Sequence, residues 1–163
     1  MVTGIKKILL ETKKQFEVLD ITSHAQKIVV ESGVKNGLCV IYCPHTTSAV
    51  RINHNEPLLL QDVMKILYHL VPIDQSYGHD LFEVRQNVAP NERSNGHAHV
   101  KAFLLGSSET LAIEKSELML GSKQSIFFVE FDGGRSREVW VKIIGEWQTL
   151  SMVGLKEEKI TST

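Results

Sequence analysis

The chain has 163 residues, with 18 lysines and arginines against 19 aspartates and glutamates and a formal net charge of −1; this balance, with the signs interspersed, gives no general attraction to nucleic-acid phosphates or to an anionic membrane. A chain of this length buries roughly two-thirds of its unfolded surface in one domain, so it needs neither disulfides nor a structural metal for stability. No apolar run approaches the ~20 residues that span a bilayer, and charge interrupts the N-terminal segment where a signal peptide needs an apolar core, so a cytoplasmic protein is expected.

From the N-terminus, "IKKILLE" (5–11) and "QFEVLDI" (15–21) are strand-like and flank the polar "TKK", which predicts a β-hairpin. "TSHAQKIVVESGV" predicts a helix: Thr22 or Ser23 can cap it, Ala25, Ile28 and Val29 share an apolar face, and Gly33 suits its end. His24 falls in its first turn and is expected to be solvated. Residues 37–43, "GLCVIYC", predict a buried strand in which Cys39 and Cys43 lie about 13 Å apart at a rise of roughly 3.3 Å per residue. That is too far for a disulfide, and two reduced, packed thiols are expected.

"HTTSAVRIN" has the β-branched, alternating character of a further strand, and "EPLLLQDVMKILYHLV" follows as an amphipathic helix with Pro57 in its first turn. Leu60, Val63, Met64, Leu67 and Val71 keep the spacing of a core stripe, which leaves His69 on the solvated side. Residues 72–95 are long, polar and irregular, and a loop of this length inside a compact domain is usually functional or mobile. Residues 98–105 predict a short helix, and "ETLAIEKSELML", "QSIFFVEFD" and "REVWVKIIGEW" predict three strands joined by turns near Glu117, Gly121 and Gly133–Gly134. The expectation is one α+β domain over residues 1–150, mostly antiparallel sheets packed with two or three helices, followed by a frayed polar tail over 151–163.

Several separated motifs occur together: "HTTSAVRINHNE", "YGHD", "GHAHVKAFLLG" and "LMLGSKQSIFFVEFDGGRSREVWV". In order and spacing they resemble the YjbQ family, described as secondary thiamine-phosphate synthase enzymes, from about Ile5 to Trp147. The resemblance implies a small α+β protein that forms a homotrimer, with a pocket built from the histidine motifs near subunit boundaries. There is one departure: where the family typically reads Gly-Thr-Trp-Gln, this chain has Gly121-Ser122-Lys123-Gln124, so Lys123 replaces a Trp while Gln124 persists among the substrate-binding candidates.

Imidazole is the commonest metal ligand near neutral pH, which makes His79, His97 and His99 candidates for a divalent cation, zinc or magnesium. Residues two apart point the same way in a strand but diverge by about 200° in a helix, so joint ligation by His97 and His99 needs a loop-to-helix junction, which Gly96 can supply. His45 follows Pro44 beside Thr46, Thr47 and Ser48, whose hydroxyls can hold a phosphate or orient a water; it is either a general base or a strand-edge histidine. Asn53 and Glu56 lie between a strand and a helix N-terminus, where the carboxylate either caps the helix or projects into a site. Glu130 in "FFVEF" must be paired, solvent-facing, or placed for catalysis.

"DGGRSR" puts Arg135 and Arg137 just beyond a glycine turn, and the resemblance favours Arg135 as a bidentate phosphate ligand, with Lys101 adding charge to the same anion. The resulting expectation is a trimeric enzyme acting on a small phosphorylated heterocycle, with weak thiamine-phosphate synthase activity. The alternatives are a metal-assisted hydrolase using Glu56 or Glu130 as base, and a non-catalytic metal- or ligand-binding trimer.

Overall fold

The computed structural model describes residues 2–146, so the polar tail expected over 151–163 lies outside the described residues. In chain order the elements are β1 Val2–Glu11, β2 Glu17–Asp20, α1 Thr22–Ser32, β3 Asn36–Tyr42, β4 Ser48–His54, α2 Pro57–Leu70, α3 Gly96–Leu105, β5 Ser108–Glu114, β6 Glu117–Leu118, β7 Gln124–Glu130 and β8 Ser136–Glu146. A single 3₁₀ turn, Gly78–Asp80, interrupts the long connection between α2 and α3. The expected α+β class stands, with three helices where two or three were expected, and every strand pairing among the described residues is antiparallel.

The strands form two sheets, β1-β8-β3-β5-β6 and β2-β7-β4. The expected N-terminal hairpin is absent, because β1 pairs with β8 in the large sheet and β2 pairs with β7 in the small one. The polar segment between them binds the β7–β8 turn instead: Thr12 N donates to Arg135 O at 3.0 Å and Gly133 N to Gln15 O at 3.3 Å. Two crossovers between the sheets thus run against each other, backbone on backbone. A Cβ on Gly133 would stand 2.1 Å from Lys14 O and one on Gly134 2.5 Å from Thr12 O, so only glycine fits at either position.

The sheets face each other across the main core, where Ile8, Cys39, Ile41, Val139 and Val141 of the large sheet meet Val50, Ile126 and Phe128 of the small one, with Ala25 and Val29 of α1 closing it. The opposite face of the small sheet presents Ala49, Phe127 and Val129, together with Phe131 just beyond it, to Leu67 of α2 and Ala98 and Ala102 of α3. β7 is therefore apolar on both faces because both are covered. Its run "SIFFVEF" is consumed inside the chain and leaves little apolar surface for a second subunit.

The local signals hold with small corrections. Gly33 ends α1 in the left-handed region at φ 72°. Neither Thr22 nor Ser23 is the N-cap, which is Ile21; Asp20 Oδ1 instead accepts from Thr22 N at 2.9 Å, and Thr22 Oγ1 accepts from Ile126 N at 2.8 Å, tying the helix start to β7. The β5–β6 turn is Lys115–Ser116, both at positive φ, as a two-residue hairpin requires.

Candidate functional site

Pro44 ends β3, whose last pair with β8 is Tyr42 with Trp140. Beyond that pair β8 continues alone on this side, and His45 takes the place of the departed strand: Glu138 N donates to His45 Nε2 at 3.0 Å. The chain then turns through Thr46 and Thr47 into β4, whose first residue, Ser48, pairs with Glu130. Helix α3 runs alongside, and the space between it and this turn is a cavity of about 430 Å³ lined by Cys43, His45, Thr46, Ser48, His99 and Phe103 among others. Its volume suits a small ligand.

Of the expected residues, His45, Thr46, Ser48 and His99 meet in this cavity. Burial, and then the Arg137 charge, hold the His45 imidazole below its ordinary value. Burial, and then His79, do the same for His99, against which a hydrogen bond to the Thr46 backbone works in the opposite direction. Cys43, expected only as core, reaches the cavity wall with Sγ 3.1 Å from Ser48 Oγ. Burial raises its thiol pKa, so it is protonated near neutral pH and is no nucleophile there.

The second expected histidine of the pair goes elsewhere. His97 is 3% exposed, its Nδ1 lies 3.1 Å from Lys101 Nζ and its Nε2 3.3 Å from Gln15 Nε2. Both residues lie within α3, where positions two apart diverge, so the junction that joint ligation required does not form. His79 does meet His99, with ring centroids 4.5 Å apart, and its Nε2 lies 3.6 Å from a Glu92 oxygen. Among the described residues no group of three histidine, cysteine or acidic side chains is placed to hold a metal ion. The expected trio of His79, His97 and His99 as it stands does not fit one.

Lys101 does not reach an anion site. It is 1% exposed, donates to Val71 O at 2.7 Å, and stands 4.7 Å from the Tyr68 ring centroid. Burial without a carboxylate partner brings its pKa down to about 8. Arg135 is also engaged: its Nη2 and Nε donate to Asp132 Oδ2 at 2.6 and 3.1 Å, and Asn95 Nδ2 donates to the same oxygen at 2.8 Å.

Glu130 resolves to the paired alternative. It is fully buried and accepts from Arg137 Nε and Nη2, both at 2.7 Å, from Thr12 Oγ1 at 3.1 Å, and from the Phe131 and Asp132 amides. Arg137 Nη2 also donates to Thr47 Oγ1 at 2.8 Å, so the pair braces the turn that carries His45 and Ser48. Arg137 was open to sequence reasoning through alternation, since it lies on the inward face with Val139 and Val141.

The remaining candidates sit at the far end of the small sheet, where His54 pairs with Gln124. This pair lies six residue steps from Ser48–Glu130, about 20 Å at the usual strand rise. Glu56 caps α2, accepting from Leu58 N and Leu59 N at 3.0 and 2.7 Å, and those amides lower its pKa. Asn53 Oδ1 accepts from His54 N, and Gln124 Oε1 accepts from Gly121 N. None of the three lines the cavity.

A family described as "UPF0047 protein YjbQ-like" matches residues 6–146. A UPF0047 protein of Methanocaldococcus jannaschii is 40% identical over 141 residues, 86% of this chain and 94% of the relative. YugU of Bacillus subtilis is 32% identical over 142 residues, 86% and 99% of the two chains. The crystal structure of a YbjQ-like protein of unknown function from Sulfolobus solfataricus is similar with a TM-score of 0.80 at 34% identity, over 89% of this chain and 99% of that one. An uncharacterised conserved protein of Clostridium acetobutylicum gives 0.75 at 40% identity, over 85% and 99%.

Proposed function

We propose that this chain, which belongs to the UPF0047 YjbQ-like family, is a homotrimeric enzyme that turns over a small phosphorylated heterocycle in the cavity between α3 and the β3–β4 turn. The observation that carries this reading is the convergence of His45, Thr46, Ser48 and His99 on one cavity of about 430 Å³. Hydroxyls and imidazoles side by side supply hydrogen-bond donors, acceptors and a proton acceptor near neutral pH. The resemblance to secondary thiamine-phosphate synthases gives the reaction: a thiazole nitrogen bonds the pyrimidine methylene carbon, and pyrophosphate leaves with the C–O electron pair.

Among the described residues the lining includes no lysine or arginine, so the cavity is read as holding the ring, with the phosphates at its mouth. Tyr42 and Phe103 stand at that lining and are 40% and 89% exposed, while Val100 and Leu104 of α3 are 40% and 56% exposed. Apolar surface of this kind beside a site supports a subunit boundary there.

Incubation of the purified chain with the pyrimidine diphosphate and the thiazole phosphate, following thiamine phosphate and pyrophosphate, tests the reaction; absence of both products removes the transferase reading. Hydrolysis of a phosphate ester is the second reading, favoured by the contact of His99 with His79 and of His79 with Glu92. Release of inorganic phosphate from a single substrate distinguishes it.

A further inference from the structure

The two cavity histidines differ in what already occupies their ring nitrogens. A backbone N–H can only donate, so the 3.0 Å contact from Glu138 N to His45 Nε2 requires that nitrogen to carry a lone pair. The neutral ring then holds its proton on Nδ1. The cause is topological: with β3 ended at Pro44, the Glu138 amide has lost its ladder partner on that side, and a buried amide left unpaired is costly. The imidazole fills that place, so protonation at Nε2 would both break the bond and orphan the amide. His99 lines the same cavity, with its ring edge-on to that of His79 at 4.5 Å between centroids. Burial, and then His79, hold its pKa below the ordinary value, so near pH 7 the ring is neutral, with one N–H and one bare nitrogen. With the His45 lone pair taken by the Glu138 amide, that bare nitrogen of His99 is the imidazole acceptor the cavity offers.

We infer that the cavity histidines are fixed in opposite roles, His45 as a neutral Nδ1–H donor and His99 as the acceptor that can take a proton from a bound molecule. This rests on the reading of the cavity as the ligand site, and it moves the general base from His45, where the sequence suggested it, to His99. The charged groups around each ring are consistent with neutral imidazoles. Arg137, Glu138 and Glu130 surround His45, with burial and Arg137 outweighing the carboxylates. His79, Asp132 and Glu92 surround His99, and His97 lies on its helix, with burial and His79 outweighing the acids. His45 then offers a fixed donor to a carbonyl, ring nitrogen or phosphate oxygen, and His99 selects for a partner that carries an acidic N–H or O–H.

Long-range proton–nitrogen correlation spectra of the ¹⁵N-labelled free chain at pH 7 test this. The expected result is His45 as the Nδ1–H tautomer with Nε2 in the unprotonated range, and His99 neutral with one protonated and one bare nitrogen. His45→Gln and His99→Gln assign the signals, and through-bond correlation to the backbone assigns them if either variant fails to fold. An Nε2–H tautomer or an imidazolium at His45, or an imidazolium at His99, overturns the inference. The spectrum needs no ligand, so absence of turnover with these tautomers intact would contradict the proposed function alone.

Discussion

Arg137 grips Glu130 with two parallel hydrogen bonds, Nε to Oε2 and Nη2 to Oε1, each 2.7 Å long, in a space where the side chains are 7% and 0% exposed. Glu130 comes from the small sheet and Arg137 from the large one, so the pair is a polar staple across the main core. Removing one partner leaves the other charge buried and unpaired, whereas replacing both with apolar groups removes both desolvation costs. Glu130→Gln is expected to lower stability by about 3–5 kcal/mol, and Glu130→Met with Arg137→Met to recover much of that loss. Urea midpoints check this; a double variant worse than the single one would make Thr47, Thr12 and the turn amides the dominant dependents of the pair.

Lys101 gives a pH dependence of defined sign. Its pKa falls from an ordinary 10.5 to about 8 in the fold, so between these values the unfolded chain binds more protons and stability rises with pH. The lysine therefore costs the fold below about pH 8, and the cost is gone above about 10.5. Relative to Lys101→Met, the chain with Lys101 is expected to gain on the order of 2–4 kcal/mol across that window. Burial raises the pKa of the neighbouring Tyr68, so the comparison is made in a Tyr68→Phe background, which removes that titration. Parallel stability curves for the two would contradict the assignment.

Arg135 is expected to be dispensable for anion binding. Two of its nitrogens already serve Asp132, whose side chain is 7% exposed against 35% for Arg135, so removing the arginine leaves a buried carboxylate short of a partner. Arg135→Ala is expected to cost about 1.5–3 kcal/mol and to leave pyrophosphate affinity unchanged, read by unfolding and calorimetric titration. A large loss of pyrophosphate binding would restore the anion role that its place after the glycine turn suggests.

The elements were legible because their signals are local. Pro57 and Glu56 start α2, Gly33 ends α1, and the alternation of β8 separates Val139, Val141 and Ile143 from Trp140. The sheet partner of each strand was not legible in this way. "TKK" looks like a hairpin loop, and only the approach of the Gly133–Gly134 backbone to Lys14 and Thr12 turns it into a crossover between sheets. The same limit applies to the site. Proximity in sequence grouped His97 with His99, but helical divergence separates them, and the length of β4 puts Asn53 and Glu56 far from Ser48. Cys43 read as core, and it both packs there and lines the cavity, because β3 ends at Tyr42 and Cys43 is the first residue beyond it.

Phe103 is 89% exposed at the cavity mouth and contributes nothing to the core of its own chain. Phe103→Glu is expected to convert the proposed trimer to monomer while the chain stays folded, with light scattering reading the mass and circular dichroism the fold. An unchanged trimer would move the subunit boundary away from α3, and a monomeric wild-type chain would remove it.

The most direct measurement is thiamine phosphate formation by the wild-type chain, His99→Ala and His69→Ala, each with its melting temperature recorded. His99 lines the cavity, whereas His69 is exposed on α2. That reaction takes no proton from the thiazole nitrogen, so His99 acts in it by holding the ring as a hydrogen-bond acceptor, and losing such a positioning contact costs up to about 10²-fold in rate. The account predicts that fall for His99→Ala, with wild-type turnover in His69→Ala and both variants folded. Full activity in a folded His99→Ala chain would contradict it.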